Sequence, residues 1–283
     1  MSVESHGCVG WFDRPHARKA NLMLRVLALL VGLASAASMA GACDIGDLGE
    51  AEFPDGKITV GDASAVYYWG TERYPHAVLG DALEPTALAF TSNQTRADGF
   101  DDCIGVRTAL FDDMVFEDLT PRLVDITGDG HPEIITTRSH EDLGAQVAIY
   151  QYRNGGLEVI AETPHIGTRF RWLAIIGAAD LDQDGHVEIA FIDRPHLAKT
   201  LRIWRYKNER LQLVTSMEGL SNHKIGEDFI TSALRDCGSG DVAILVPNAN
   251  RSELMEIRMV GDDLKSVSLG KFSAALFEKA QTC

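Results

Sequence analysis

The chain has 283 residues, of which 45% are hydrophobic and 24% charged, and its formal net charge at pH 7 is −15. This length and hydrophobic content allow a real core in one large domain or two small ones. The acidic balance argues against nucleic acid and anionic membranes as partners and favours a cation, although acidity also simply keeps proteins soluble.

The first patterned segment is an apolar run, LRVLALLVGLASAASMA, at residues 24–40. One arginine precedes the run and small residues end it, which is typical of a secretory signal peptide. Residues 40–42 (Ala-Gly-Ala) form the expected cleavage motif, and residues 38–40 are an alternative. The run is too short for a good membrane span. We therefore expect residues 1–42 to be an N-terminal extension with a signal peptide. Residues 43–283 are then a single exported domain, periplasmic or extracellular, without a membrane span.

Cysteine usage agrees with export. Cleavage would leave four cysteines, none of them in a C-x-x-C pair: Cys43, Cys103, Cys237 and Cys283. Four cysteines allow three pairings, and the sequence does not choose among them. We expect two structural disulfides, formed in an oxidising compartment.

An internal repeat organises the rest of the chain. LVDITGDGHPEII from Leu123 aligns without gaps with AADLDQDGHVEIA from Ala178, at an offset of 55 residues. Further on, VAIYQYRNGGLEVI (147–160) aligns with LRIWRYKNERLQLV (201–214). A third copy covers residues 241–264. A weaker fourth copy at 74–90 would place His76 at the same repeat position as His165 and His223.

Each repeat predicts four short strands, the last two joined by a turn such as Asn154-Gly155 or Asn208-Glu209. A period of about 40–55 residues with four strands per unit is the signature of a propeller blade. We therefore predict an all-β fold: a small β-propeller of about four four-stranded blades with calcium-binding loops. The units fall at about 57–110, 111–163, 164–220 and 221–272, and a fifth blade or an open array stays possible. Residues 58–60 could close the ring on the last unit, and residues 273–280 favour a helix.

The most specific signal is the loop at residues 180–188, here called loop B. Asp180, Asp182, Asp184 and Glu188 stand at positions 1, 3, 5 and 9 of this loop, and Gly185 stands at position 6. Calcium takes six to eight oxygen ligands, and alternate residues of a tight loop can point carboxylates at one centre. The backbone carbonyl at position 7, which belongs to His186, can supply another oxygen. Loop B therefore predicts a calcium site.

Two related loops occupy the same place in other units. Loop A, residues 125–133, offers Asp125, Thr127, Asp129, Glu133 and the carbonyl of His131. It carries one charge fewer than loop B, so we expect weaker binding. Loop C, residues 233–241, has Arg235 at a ligand position and should not bind calcium, and a disulfide of Cys237 could staple its turn instead. The alternative for every loop is an Asp-Gly turn that needs no metal.

The pattern D-x-D-x-D-G-x-x-E followed by an apolar strand resembles the FG-GAP or VCBS-type repeats of integrin-alpha-like propellers. It also resembles exported bacterial proteins that carry such repeats. The resemblance covers about residues 55–270 and is most specific from Asp180 to Glu188. It implies a calcium-stabilised β-propeller and does not imply an enzyme.

Histidines and arginines recur outside the acidic loops and could form a ligand rim: His76, His165, Arg169, Arg171, Asp193, His196 and His223. Such a rim could bind a transition metal, a sugar or a carboxylate. The alternative is that each histidine bonds a backbone carbonyl of its own unit. The sequence lacks a G-x-S-x-G elbow, an H-E-x-x-H motif and a phosphate-binding glycine loop.

We therefore expect a non-enzymatic, exported calcium-binding protein that acts as a binding or scaffold module, with a protein or saccharide as the ligand of its rim. The alternative is a periplasmic hydrolase or lyase that uses the histidine, arginine and aspartate side chains of the rim. A single pocket joining His165, Arg169, Asp193 and His223 would favour the enzyme.

Overall fold

A computed structural model describes residue 53 and residues 56–80, 82–95, 101–238 and 240–283. These residues all belong to one compact unit, Gly41–Cys283. The predicted signal peptide and Cys43 lie outside the described residues. Within the described part of the chain, no helix is both long and apolar enough to cross a membrane.

Within the described residues, seventeen strands form four antiparallel sheets that follow one another along the chain. The first sheet contains β1 (Lys57–Val60), β2 (Ala63–Thr71), β3 (Glu84–Thr95) and β4 (Asp101–Ala109). The second contains β5 (Met114–Phe116), β6 (Arg122–Val124), β7 (Glu133–His140), β8 (Gly144–Arg153) and β9 (Gly156–Glu162). The third contains β10 (Leu173–Ala179), β11 (Glu188–Asp193), β12 (Thr200–Lys207) and β13 (Arg210–Glu218). The fourth contains β14 (Ala233–Arg235), β15 (Ala243–Pro247), β16 (Glu253–Val260) and β17 (Asp263–Lys271).

Within each sheet the strands pair in chain order, so every sheet is an up-and-down meander. In the second sheet the first strand is split, because β5 and β6 pair with opposite ends of β7. The predicted turns are present: Asn154 and Gly155 join β8 to β9, and Asn208 and Glu209 join β12 to β13, all four with positive φ. Positive φ at both central residues is the hairpin turn that matches the twist of the strands.

The expectation that residues 58–60 close a ring on the last unit is wrong. They belong to β1, which pairs with β2 from Lys57↔Val66 to Val60↔Ala63. A two-residue connection between β1 and β2 makes this local pairing the easiest one to form, because little loop entropy is lost.

Consecutive sheets pack face to face through three hydrophobic cores in the described residues. β11 shows why the sequence folds this way. Ile189 and Phe191 face the core shared with the second sheet, whereas Ala190 and Ile192 face the core shared with the fourth. Side chains alternate between the two faces of a strand, so a run that is apolar at every position is buried on both faces.

The outward face of the fourth sheet is covered by the predicted helix. α1 (Ala274–Ala280) begins after Ser273, whose side chain accepts a hydrogen bond from the amide of Leu276. Leu276 and Phe277 pack on Leu245 and Leu254 of the sheet. A disulfide between Cys237 and Cys283 then ties the chain after α1 to loop C. Cys103 is also disulfide-bonded.

Loops from all four sheets meet in one further apolar cluster. Its buried members are Val78 and Leu79 from the first sheet and Trp172 and Ala174 from the third. Leu119, which lies between β5 and β6, and Ile230, which precedes the first strand of the fourth sheet, pack against them. The four sheets with their convergent loops make a small propeller-like all-β fold, as the sequence predicted.

Candidate metal centre and the opposite rim

The acidic loops and the rim residues lie at opposite ends of the sheets. In an antiparallel meander, the connections between strands one and two share an end with those between strands three and four. Loops A, B and C all join the first strand of a sheet to its second strand. The connections that carry the histidines instead join the second strand to the third or one sheet to the next. A cation in loop A or loop B would therefore not contact a ligand on the rim.

Backbone amides hold the carboxylates of loop A. Asp125 accepts hydrogen bonds from the amides of Gly128 (2.7 Å), Asp129 (3.1 Å) and Gly130 (2.9 Å). Glu133 is fully buried and accepts from the amides of Ile126 (2.9 Å) and Thr127 (3.1 Å). Gly128 and Gly130 adopt φ of 76° and 86°, which bends the loop sharply. Asp125 and Glu133 thus point into the loop in a fixed geometry.

Loop B repeats this arrangement with more acids. Asp180 accepts from the amides of Asp184 (3.1 Å) and Gly185 (3.0 Å). Glu188 is fully buried and accepts from the amide of Leu181 at 2.8 Å. The amide of His186 donates to Asp184 at 2.9 Å, as that of His131 does to Asp129 in loop A.

One oxygen from each of Asp180, Asp182 and Glu188 lies within 4.8 Å of the others. Two oxygens bound to one calcium at about 2.4 Å are at most about 4.8 Å apart, so this spacing fits a shared calcium ion. Burial raises the pKa of Glu188 and of Glu133, because each carboxylate is withdrawn from water. The donor set is all oxygen and all anionic, which suits a hard dication.

The sequence did not reveal that a residue from the third strand of each repeat contacts the acidic loop. Arg205, in the middle of the third sheet, donates to Glu188 and, at 2.6 Å, to Asp182, and its guanidinium lies 3.3 Å from Asp184. The equivalent residue of the second sheet is Gln151, which donates to Asp129 at 3.0 Å and to Glu133 at 2.8 Å. The signal was present in the alignment, where Gln151 and Arg205 occupy the same column.

In loop C, a network of arginines and carboxylates lies where loops A and B have their acidic cluster. Arg235 and Arg258 both donate to Glu256, and Arg258 also pairs with Asp241. Burial acts to raise the pKa of Glu256, but the hydrogen bonds from both arginines outweigh it and the pKa is lowered. Loop C thus combines this network with the disulfide of Cys237, and the absence of a metal from this loop stays a prediction.

The rim histidines fall into pairs that the sequence did not predict. His76 does not share a repeat position with His165 and His223. It lies in the connection between the second and third strands of its sheet, as His140 and His196 do in theirs. The residues 74–90 were aligned one strand out of register, since Ala87–Phe90 lies in the third strand of the first sheet rather than the second.

Each histidine of the strand-two-to-three connections contacts the segment that enters the next sheet. His76 bonds the buried Glu117, and the His140 and His165 rings lie 5.6 Å apart. Nε2 of His196 lies 2.9 Å from Nδ1 of His223, and both rings pack on Trp172.

Only part of the histidine set fits the simpler alternative of bonds to backbone carbonyls. His223 bonds the carbonyl of Glu227 in its own unit at 2.8 Å, whereas His165 bonds that of Gly144 in the preceding unit at 2.7 Å and so departs from the alternative.

The rim residues do not share one pocket in the described part of the chain. His76, Arg171 and His196 line a cavity of about 20 Å³, which is room for about one water. His165 and Asp193 line an open groove of about 370 Å³, and His223 lines another of about 410 Å³. Asp193 is bonded by Arg194 and Arg202, and Arg169 lies over the ring of Phe170. No single pocket of the described residues joins His165, Arg169, Asp193 and His223, which is the arrangement that would favour an enzyme.

Part of the second and third sheets matches a known family. Residues 125–191 match the family described as FG-GAP-like repeat. The matched segment begins at the first acid of loop A and ends in β11, so it spans both acidic loops and the whole of the second sheet after β6. The chain therefore contains an FG-GAP-type repeat, as the resemblance implied. None of the curated proteins matches the chain.

Two solved structures, both provisionally named 6-phosphogluconolactonases, show a distant likeness. One is from Bacteroides fragilis NCTC 9343, with 9% identity and a TM-score of 0.42, and the match covers 78% of this chain and 58% of that protein. The other is from Bacteroides uniformis ATCC 8492, with 11% identity and a TM-score of 0.39, and it covers 79% of this chain and 58% of that protein. The chain thus spans less than two thirds of either protein, and at these scores the likeness carries no argument about activity.

Proposed function

We propose that this chain is an exported calcium-binding repeat protein, in which calcium fixes the turns at one end of the sheets and the opposite rim binds a partner. The observation that carries the calcium part is the convergence of Asp180, Asp182 and Glu188 within 4.8 Å. Loop A supports it, because Asp125, Asp129 and Glu133 repeat the same positions at the same end of the neighbouring sheet.

Calcium at these loops has a structural task. Glu133 and Glu188 are fully buried at the start of the second strand of their sheets, and a buried carboxylate is costly unless a cation or hydrogen bonds compensate. A dication would offset the repulsion among the acids of each loop and hold the first strand against the second. When bound, calcium supplies only this charge and coordination, so the proposal involves no reaction.

Calorimetry and thermal melting on the chelator-stripped full chain test the calcium part. We expect two bound calcium ions with dissociation constants of about 10⁻⁴–10⁻³ M, the range of extracellular calcium modules. Saturating calcium to about 100 times its dissociation constant should stabilise the fold by about 2.7 kcal/mol per site. Absence of both the heat and the melting shift at millimolar calcium would reject the assignment.

Single substitutions locate the sites. Asp125→Asn should remove the loop A ion and Asp180→Asn the loop B ion, because asparagine keeps the size of aspartate but not its charge. Asp236→Asn in loop C is the matched control: Asp236 accepts a turn hydrogen bond from Gly238 at 2.8 Å but belongs to no convergent acidic cluster. Calcium binding that is lost equally in the control would mean that the effect is general rather than local.

The partner of the rim is proposed to be a protein or a saccharide. The groove of about 370 Å³ combines features that suit a sugar: the rings of Trp204 and His165 beside Arg202 and the buried Asp193. A glycan array, followed by fluorescence titration, tests the saccharide. Loss of a hit in Trp204→Ala but not in Trp69→Ala, an exposed tryptophan of the first sheet, is the expected outcome. Equal loss in both would place the sugar elsewhere, and no hit would leave the protein partner as the proposal.

A further inference from the structure

We propose that Arg205 is a built-in cation of loop B, which competes with calcium and sets the calcium affinity of this loop. The inference rests on the proposed calcium function and deepens it. It also removes the difference expected from the number of acids, because loop B then binds calcium no more tightly than loop A.

The guanidinium of Arg205 already binds carboxylate oxygens that calcium would need as ligands. It donates to Oε1 of Glu188 and to Oδ2 of Asp182, and it lies 3.3 Å from Oδ2 of Asp184. Only 14% of its side chain is exposed, so the contact is held in the fold rather than made by a free surface arginine. Calcium bound to Asp182 and Glu188 must displace these hydrogen bonds or bind beside a positive charge.

The charge balance of the two loops makes the role of Arg205 visible. Loop B has four carboxylates and one guanidinium, which leaves three negative charges, and the same guanidinium also lies 3.4 Å from the exposed Asp262 of the fourth sheet. Loop A has three carboxylates beside the neutral amide of Gln151, which also leaves three. The additional acid of loop B, Asp182 in place of Thr127, is the residue that bonds Arg205 at 2.6 Å. The extra carboxylate is thus matched by the extra cation and does not add net attraction for calcium.

Loop B does not need Arg205 to keep its acids in place. Asp180 accepts two backbone hydrogen bonds, Asp182 accepts one from the amide of Asp184 at 3.3 Å, and Glu188 accepts one from Leu181. Loop A keeps Asp125 and Glu133 in place by the same backbone bonds without an arginine. Removal of the guanidinium should therefore free the ligands without dispersing them.

The fourth sheet has arginines at two of the corresponding positions. Its residue in this column is Arg258, and Arg235 stands where loop B has Asp182. The two guanidinium groups share Glu256, and Arg258 also holds Asp241. At this position of the repeat, the second sheet has the amide Gln151 and the third has Arg205 among acids. The fourth has Arg258, which belongs to an arginine network and has no acidic loop beside it.

A reciprocal exchange tests the inference. In Arg205→Gln, we expect the calcium affinity of loop B to rise about tenfold, because a positive charge that repels the dication is removed. In Gln151→Arg, we expect the affinity of loop A to fall about tenfold for the same reason. Arg210→Gln, at an exposed position at the start of β13, controls for the change in net charge and should alter neither site. Calorimetry with Asp125→Asn or Asp180→Asn as background reads each loop separately.

A second readout does not use calcium. Without the ion, Arg205→Gln leaves the acids of loop B without their counter-ion, so its melting temperature in chelator should fall below that of the wild type and recover when calcium is added. If Arg205→Gln does not fold, Gln151→Arg still tests the competition in loop A.

The outcomes separate the two proposals. Two calcium sites with affinities unchanged in both exchange variants would overturn the role of Arg205 and leave the calcium function standing. No calcium binding in the wild type or in any variant would overturn the calcium function, and the competition with it. Higher loop B affinity in Arg205→Gln, together with lower loop A affinity in Gln151→Arg, is the result that supports the inference.

Discussion

At the scale of single residues, buried ionisable groups obtain partners from a neighbouring sheet. His196 is half-buried between Trp172 and His223, and His76 and Lys199 lie near enough to act on it. Burial, with added repulsion from His223, His76 and Lys199, lowers the pKa of His196 to about 4. Burial also lowers the pKa of His223 and of His165. At neutral pH the imidazoles of His165, His196 and His223 are therefore neutral.

The lowered pKa of His196 predicts a dependence of stability on pH. The unfolded chain binds a proton at this histidine near pH 6.5, whereas the folded chain does so only near pH 4. Stability from this group is therefore complete above pH 6.5 and is lost as the pH falls towards 4. His196→Gln should lose less stability over this range than the wild type. Urea unfolding at pH 7, 6, 5 and 4.5 measures the difference, and parallel curves for the two proteins would contradict it.

At the scale of elements, a tight turn docks one sheet against the next. Gly144 begins β8 with φ of 75°, and a Cβ added there would lie 2.7 Å from the carbonyl oxygen of Thr168 and 2.9 Å from that of Arg171. The carbonyl of Gly144 accepts from His165, and the amide of Ala145 donates to Arg171 at 2.8 Å. The turn from β7 to β8 thus fixes the segment that carries His165 and Arg171 into the third sheet.

Substitution of Gly144 should therefore be severe. Gly144→Ala adds a clash with two backbone carbonyls to the cost of a left-handed conformation, and we expect a loss of about 3 kcal/mol or more in the free energy of unfolding. Gly155→Ala is the matched control, because Gly155 has φ of 83° and open space around it, and should cost about 1–2 kcal/mol. Chemical denaturation of both variants gives the comparison. Equal losses would show that the contact with residues 168–171 does not contribute to the free energy of unfolding.

At the scale of the whole described unit, the four sheets pack on one another in chain order, the first on the second, the second on the third and the third on the fourth. The last sheet is covered by α1 on its outward side, and the disulfide Cys237–Cys283 closes a loop of 46 residues in sequence separation. Of loops A, B and C, it is loop C, without the acidic cluster, that contains a cysteine of this disulfide. Two different devices, proposed calcium sites and a disulfide, stabilise equivalent turns of neighbouring sheets.

Removal of this disulfide should loosen the docking of α1 on the fourth sheet. Cys237→Ser with Cys283→Ser is expected to lower the free energy of unfolding by about 2–4 kcal/mol, because the unfolded chain regains the entropy of an open loop. Release of α1 would also expose Leu245 and Leu254, so binding of a hydrophobic dye should increase. Denaturant titration and dye fluorescence test the prediction. A double variant with wild-type stability and no added dye binding would show that α1 stays docked without the bond.

The sequence alone determined the period of the fold and the chemistry of its loops. An offset of 55 residues, alternating apolar strands and turns such as Asn154-Gly155 are local signals, and the sheets follow them. The spacing of Asp180, Asp182 and Glu188 is also local, because residues of one tight loop converge wherever the sheet lies. Helix α1 was predicted from its own sequence and is capped by its neighbour Ser273.

Tertiary structure decided what distant residues do to these loops. The pairing of β11 with β12 brings Arg205 opposite Glu188, and the packing of consecutive sheets brings His196 to His223 and His76 to Glu117. The register of the first sheet was misread because its acidic loop is reduced to a two-residue turn, so no motif marks its second strand. Strand pairing and sheet packing join residues far apart in the chain, and a pattern confined to one window carries no information about such partners.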